Sequence, residues 1–276
     1  MIKKILCPTD FSDASTNAIE YAAKVAQRMS STITMLNVQH IYMGEGVSLF
    51  TGGERESAQE AKVTAERMKE YCTEINKTFN VSVNYEIIPT MGSFENIVAD
   101  ESDKFDLIII GTNGVDNLNQ FYLGTHSYRV AKKTTVPVLI IPDGSIYNEL
   151  SNIVFASDYN KGDELLLKQL KEFSEVFNLQ LRVIHISEKD TTQSLESYQA
   201  FCNLTKEALN DTGKITFERI ISYNGADALD NFMIKTQADM LAVSFKEQGF
   251  LYSLFHKNLI KYLTALENYP MLILHA

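Results

Sequence analysis

The run Leu107-Ile108-Ile109-Ile110 is apolar at every position, and so is Val138-Leu139-Ile140-Ile141 further along the chain. A strand with one face in water would alternate apolar and polar side chains, and neither run does. Continuous apolar runs of this length are typical of strands buried on both faces, as in a parallel sheet that helices cover. The two runs therefore predict a doubly wound α/β fold.

Alternating strands and helices precede these runs, which makes them the fourth and fifth strands of one unit. We predict strands at 4–8, 32–38, 81–88, 106–110 and 136–141. Helices are predicted after Ser12, a good N-cap residue, after Gly92 and near Gly124. A further helix, from Ala58 to Phe79, carries apolar residues three and four apart. Three heptads are short for a coiled coil, so we expect this helix to lie on the sheet.

The second half of the chain repeats the pattern of the first. Shifted by 148 residues, segment 5–10 falls on segment 153–158, and near the end of each half Pro137 falls on Pro270 at a shift of 133. The two shifts differ by 15, so the second copy lacks 15 residues between its second and third strands. We predict two tandem copies of one α/β unit, residues 1–143 and 149–276.

Charge and composition exclude several classes of protein. The 276 residues include 25 basic and 35 acidic ones, a net charge of −10, which argues against binding to nucleic acid or to an anionic membrane surface. No apolar run approaches the ~18 residues of a membrane span or forms a signal peptide. Three distant cysteines fit neither a disulfide framework nor a zinc ribbon. We expect a reduced, cytoplasmic protein.

The carboxyl ends of strands 1 and 4 are the places to look for a ligand site, because open parallel sheets bind ligands where the strand order reverses. Strand 1 ends in Pro8-Thr9-Asp10, and strand 4 continues into the motif Gly111-x2-Gly114-x9-Gly124-Thr125. Asp10 suits the hydroxyl groups of a ribose. Both segments are expected to face one crevice.

The glycine motif has the chemistry of a phosphate site. Gly111 and Gly114 would let the backbone approach a ligand and adopt positive φ. Gly124, Thr125 and His126 would offer unpaired amides at a helix start. Any one glycine could serve only a turn, and Thr125 only a helix cap, but the complete spacing after the expected strand favours a binding site.

Segment 3–12, the glycine motif and the final strands at 106–111 and 136–141 resemble the nucleotide-binding branch of the universal stress protein family. The resemblance covers the whole chain as a tandem pair. It implies strand order 3-2-1-4-5 in each copy, the adenine nucleotide alpha-hydrolase-like topology, with the copies related by a pseudo-two-fold axis. It also implies that ATP or AMP binds in the first copy.

The resemblance assigns roles residue by residue. Asp10, with Pro8 and Thr9 before it, would touch the ribose and adenine side of the nucleotide, and Val38 would line the adenine pocket. Ile110 and Gly111 would border the nucleoside. The phosphates would be held by Gly114, Gly124, Thr125 and His126, the last through its backbone amide.

Two departures from the family pattern affect the expected ligand. The loop 115–123 carries no Lys or Arg and includes Asp116, so backbone amides and a Mg²⁺ ion would have to compensate. In the second copy the three glycines are replaced by Ser244, Glu247 and Lys257, although Asp158 corresponds to Asp10. We therefore predict that the second copy is a structural partner without nucleotide.

Competing functions differ in what they require of the sequence. The five histidines show no metal-ligand spacing, and no nucleophile elbow or Walker loop occurs, so we predict no dedicated enzyme and no metal centre, with slow ATP hydrolysis left open. The alternative to a nucleotide-binding stress protein is a nucleotide-free protein-interaction module of the same fold.

Assembly is the last expectation from the resemblance. In that family the fifth strands of two units pair, which covers an otherwise exposed sheet edge. Segments 138–141 and 271–274 are the corresponding pair here and would join the two halves into an intramolecular pseudo-dimer.

Overall fold

The computed structural model describes residues 2–41, 53–112, 125–147, 149–159, 162–210, 214–245 and 269–275. Strands and helices alternate in both halves. The first half contains β1 (Lys4–Pro8), α1 (Asp13–Met29), β2 (Thr32–His40), α2 (Gly53–Phe79), β3 (Val83–Thr90), α3 (Phe94–Ser102), β4 (Leu107–Thr112), α4 (Thr125–Lys133) and β5 (Val138–Pro142). The second half contains β6 (Asn152–Ala156), α5 (Asp163–Phe177), β7 (Gln180–Ser187), α6 (Thr192–Ala208), β8 (Ile215–Ile221), α7 (Gly225–Thr236), β9 (Met240–Phe245) and β10 (Met271–His275).

The ten strands of the described residues form one sheet in the order β3-β2-β1-β4-β5-β10-β9-β6-β7-β8. Each half therefore has strand order 3-2-1-4-5, which confirms the expected α/β topology. Neighbouring strands are parallel throughout, apart from β5 and β10, which pair antiparallel in the register Ile140–Met271, Leu139–Leu272 and Val138–Ile273. At the 133-residue shift Leu139 corresponds to Leu272, so the pairing is centred on two equivalent residues of the halves. The domain boundaries 1–143 and 149–276 stay a prediction.

Helices cover both faces of the sheet, and the apolar strands are buried on both. Leu107 and Ile109 of β4 pack into the core layer under α1 and α2, whereas Ile108 and Ile110 pack into the opposite layer with α3 and α4. All four side chains are buried. This burial is the reason why the run shows no polar alternation.

Helix α2 lies on the sheet, as predicted. Met68, Cys72 and Ile75 form its buried stripe and belong to the core layer of the first half. The second half has a shorter helix at this place, since α6 has 17 residues and α2 has 27. Among the described residues no helix is both long and apolar enough to cross a membrane.

Several predicted strand boundaries were wrong by one or two residues, and the starts of β3 and β5 differ for local reasons. β3 begins at Val83 rather than Val81, because Asn80 takes a left-handed conformation after α2 and Asn76 donates its side-chain N–H to the Val81 carbonyl at 2.6 Å. Val81 therefore belongs to the turn. β5 begins at Val138 because Pro137 has no N–H to give to the ladder.

The first half of the sheet is held to the second by a contact at the end of α4. His275, at the end of β10, donates its Nε2–H to the Ala131 carbonyl in the last turn of α4 at 2.7 Å. Carbonyls in a last helical turn have no partner within the helix. Burial lowers the pKa of His275, which keeps the ring neutral. A residue of the second half thus caps a helix of the first.

Candidate functional site

The strand order reverses at β1, which lies between β2 and β4. Pro8 is opposite Leu36 in β2, and Leu6 is opposite Ile108 in β4, so the three strands end side by side. The ends of these strands carry the predicted residues Pro8, Thr9, Asp10, Val38, Ile110 and Gly111. A crevice beyond the carboxyl ends of the strands at such a point is the usual ligand site of this architecture.

Asp10 is the exposed acidic group of this crevice. Its Oδ1 accepts the backbone N–H of Ser12 at 3.0 Å, which forms the turn from β1 into α1. Burial raises the pKa of Asp10, but hydrogen bonds from Ser12 and Ser15 outweigh burial and hold this pKa below its usual value. The carboxylate therefore stays ionised at neutral pH and can accept hydrogen bonds from hydroxyl groups.

Thr9 is buried and its polar atoms are used within the protein. Its Oγ1 lies 3.1 Å from the Ser15 Oγ and accepts the Phe11 N–H at 3.1 Å. Its carbonyl accepts the side-chain N–H of Asn37 at 2.8 Å. Thr9 and Asn37 thus fix the strand end that presents Asp10. Sequence reasoning missed Asn37, a buried polar residue within an apolar strand.

Val38 and Ile110 supply the apolar wall. Both pack into the core layer on the α3 and α4 face, where Ile110 is buried and Val38 is only partly covered. A partly covered apolar side chain at a strand end offers a surface for a planar ring.

Gly111 does not need the positive φ that was predicted for it, whereas its place beside the nucleoside stays a prediction. Its φ is not positive, and a Cβ placed on it would lie 2.2 Å from the Ala14 carbonyl oxygen in the first turn of α1. The missing side chain therefore lets α1 pack against β4. The Gly111 carbonyl also accepts the Ser127 hydroxyl of α4 at 3.0 Å.

The predicted phosphate residues are only partly within the described structure. Gly114, Gly124 and the loop 115–123 lie outside the described residues. Thr125 is the first residue of α4 and His126 the second, so their backbone amides have no partner within the helix. Amides without a partner in their own helix, together with the helix dipole at this end, favour an anion.

The His126 side chain points to α3 and pairs with Glu95. Its Nδ1 lies 2.8 Å from Glu95 Oε1, and Arg129 Nη1 lies 3.6 Å from the same oxygen. The His126 ring packs edge-on against Phe94, with 5.8 Å between the ring centroids. Sequence reasoning missed Glu95, although its place in the first turn of the helix after Gly92 was a signal.

In the second half the end of the first strand is held in the same way, but by different side chains. The Ser157 carbonyl receives a hydrogen bond from His185 Nδ1 at 2.7 Å, where Thr9 receives one from Asn37. His185 thus has a hydrogen-bond partner, as predicted, but it is half-buried rather than a residue of the core. The Tyr159 ring stacks on His185 with 4.0 Å between the centroids.

Ser244 stands where the first half has Gly111. It is 2% exposed, and its hydroxyl has no hydrogen-bond partner among the described residues. Glu247 and Lys257 lie outside the described residues. Within the described ranges no group of His, Cys, Asp and Glu side chains could hold a metal ion, and all three cysteines are free and buried.

Known proteins share both sequence and fold with the chain. Residues 1–142 match the family model described as the universal stress protein family. Universal stress protein MJ0531 of Methanocaldococcus jannaschii is 30% identical over 146 residues, 51% of this chain and 82% of that protein. Universal stress protein MJ0577 of the same organism is 29% identical over 157 residues, 51% of this chain and 95% of that protein.

The structural likeness extends over both halves. The crystal structure of a universal stress protein from Archaeoglobus fulgidus aligns with 99% of this chain, and the alignment includes 98% of the Archaeoglobus chain. Its TM-score is 0.77 at 16% sequence identity. Identity this low shows a shared fold alone.

Proposed function

Because the chain belongs to the universal stress protein family, we propose that its first half binds ATP or AMP in the crevice between β1 and β4. The observation that carries the proposal is Asp10, an ionised and exposed carboxylate that a turn holds at the reversal of the strand order. A carboxylate in this place accepts hydrogen bonds from ribose hydroxyls.

The base and the phosphates would lie on either side of Asp10. Val38 and Ile110 supply an apolar surface for adenine, and the first turn of α4 supplies free amides for phosphate. The sequence between strand 4 and α4 contains no Lys or Arg. A Mg²⁺ ion held mainly by the phosphate oxygens would reduce their negative charge.

We assign the first half a binding role and no dedicated catalysis. Thr9 and Ser15 hydrogen-bond to each other, and His126 pairs with Glu95. These polar groups therefore already make contacts within the protein. The second half would be a partner without nucleotide, since Ser244 replaces Gly111 and Tyr159 stacks on His185.

Calorimetric titration of the full chain with Mg-ATP, AMP and adenosine tests the proposal. Asp10→Asn keeps an oxygen that can accept the Ser12 N–H but removes the charge, and we expect about tenfold weaker binding of all three ligands. The matched control is Asp158→Asn, which makes the same change at the equivalent place in the second half and should leave binding unchanged.

Two results would contradict the proposal. Absence of binding by the wild-type chain at millimolar nucleotide would favour the nucleotide-free interaction module. Equal losses in Asp10→Asn and Asp158→Asn would show that the crevice of the first half is not the site.

A further inference from the structure

Glu95 is a buried carboxylate that connects the first turns of two helices. It is 4% exposed, and it belongs to the first turn of α3. Its Oε1 contacts His126 Nδ1 at 2.8 Å and Arg129 Nη1 at 3.6 Å, both on α4. The His126 and Arg129 side chains are themselves 65% and 60% exposed.

A carboxylate in this position is costly unless several donors hold it. Hydrogen bonds from its own backbone amide, from His126 and from Ser93 outweigh its burial, so the pKa of Glu95 lies below its usual value. The ion pair of Glu101, near the other end of α3, is different because its partner Lys104 lies three residues further along the chain. The Glu95 contacts fix one helix relative to another.

We propose that Glu95 is a positioning residue for the phosphate end of the ligand, acting through His126 on the first turn of α4. This inference rests on the proposed nucleotide site. The backbone amide of His126 belongs to the turn expected to face the phosphates, and its side chain is the one that Glu95 holds. Without Glu95 the backbone amides in the first turn of α4 would no longer be held in one orientation. A bound phosphate would then have to order them, which lowers the affinity.

The nucleoside end of the site does not depend on this contact. Asp10 follows β1 and Val38 lies in β2, and both strands are held by ladder bonds and by the Asn37 contact to Thr9. Loss of Glu95 is therefore expected to weaken ligands in proportion to their phosphates, with adenosine least affected.

Titration of Glu95→Ala with Mg-ATP and adenosine measures this difference. We expect about tenfold weaker binding of Mg-ATP and less than a twofold change for adenosine. Glu95→Gln keeps an acceptor for His126 and should restore Mg-ATP affinity to within about threefold. Glu101→Ala removes a carboxylate from the same helix whose ion-pair partner is Lys104 rather than a residue of α4, and it should change neither affinity.

A double-mutant cycle tests whether Glu95 acts through His126. His126→Ala should reproduce most of the loss in Glu95→Ala, and the double variant should lose little more, because both single variants remove the contact between Glu95 and His126. Equal weakening of adenosine and Mg-ATP, or additive losses, would overturn the inference. Tighter Mg-ATP binding by Glu95→Ala would also overturn the inference. It would mean that pairing with Glu95 keeps the His126 and Arg129 side chains from binding the phosphates.

The outcomes separate this inference from the proposed function. If wild-type protein binds no nucleotide, the proposed site itself is wrong. If wild-type protein binds nucleotide and Glu95→Ala binds Mg-ATP as tightly as wild type, only the positioning role is wrong. Unchanged adenosine affinity in Glu95→Ala also shows that the variant is folded.

Discussion

The two halves of the chain build the same strand-end frame but present different groups at it. In each half the carbonyl after the first strand receives a side-chain hydrogen bond from the second strand, from Asn37 in one and from His185 in the other. Phe11 and Tyr159 both take positive φ at the next turn. Folding requires this frame twice, because each half must turn its first strand into a helix.

Apart from the shared aspartate, Asp10 and Asp158, the residues around the crevice differ between the halves. Gly111 lets α1 approach β4, whereas Ser244 carries a buried hydroxyl at the equivalent place. Glu95 ties α3 to α4 in the first half, and the equivalent helix α7 begins with Gly225-Ala226 and an Asn224 cap instead. Shared topology therefore says little about which half binds a ligand.

The largest expected effect comes from breaking the pairing that holds the halves together. Leu139 is fully buried and faces Leu272 across the antiparallel pair. Leu139→Lys places a charge in the core without a partner, so we expect a loss of roughly 3–5 kcal/mol in the free energy of unfolding. Urea denaturation measures the loss, and hydrogen exchange should show that β10 loses protection together with β5.

The control for this variant introduces the same charge at an exposed position. Ile234 on α7 is 61% exposed, so Ile234→Lys should change the stability by no more than about 0.5 kcal/mol. Protection of β10 that survives in Leu139→Lys would show that the two strands do not depend on each other.

A smaller effect is expected from giving both halves the same residue at the end of the fourth strand. Gly111→Ala drives a Cβ against the Ala14 carbonyl and should cost about 1–3 kcal/mol. Ser244→Ala removes a buried hydroxyl that no described residue satisfies, and it should be neutral or stabilise by up to about 1 kcal/mol. Chemical denaturation of both variants checks the difference, and equal effects would contradict it.

The smallest effect concerns the ring at the positive-φ turn. Tyr159 has a buried hydroxyl for which the described structure provides no partner. Tyr159→Phe gives the second half the residue type of Phe11, and we expect no loss of thermal stability and a gain of at most about 1 kcal/mol. Tyr198→Phe is the comparison variant, because its hydroxyl donates to the Phe217 carbonyl at 3.0 Å. That change should cost about 1 kcal/mol, and a larger loss in Tyr159→Phe would reveal a partner for its hydroxyl.

Local patterns in the sequence predicted the fold well. β1 spans the predicted residues, and Ser12 caps α1 by accepting the Ser15 N–H. These features depend on neighbouring residues only. The boundary of β3 was missed because Asn76 and Asn80 organise a turn through side-chain bonds that periodicity does not register.

Contacts between distant segments explain what the sequence did not reveal about the site. Asp10 was found because it follows a recognisable strand, whereas Glu95 matters through residues 31 or more positions away in α4. Gly111 was identified, but the positive φ predicted for it was wrong, and the sequence did not reveal that its missing side chain makes room for the Ala14 carbonyl of α1. The roles of Gly114 and Gly124 stay predictions.

The antiparallel pairing of β5 with β10 has a genetic consequence. In a symmetric dimer of identical chains, one codon determines both sides of the interface, so every substitution enters it twice. Here Leu139 and Leu272 face each other but are encoded by separate codons, so a substitution at either position changes only one side of the interface. One copy of the gene segment can therefore drift while the other keeps its sequence, which a self-pairing single-unit chain cannot do.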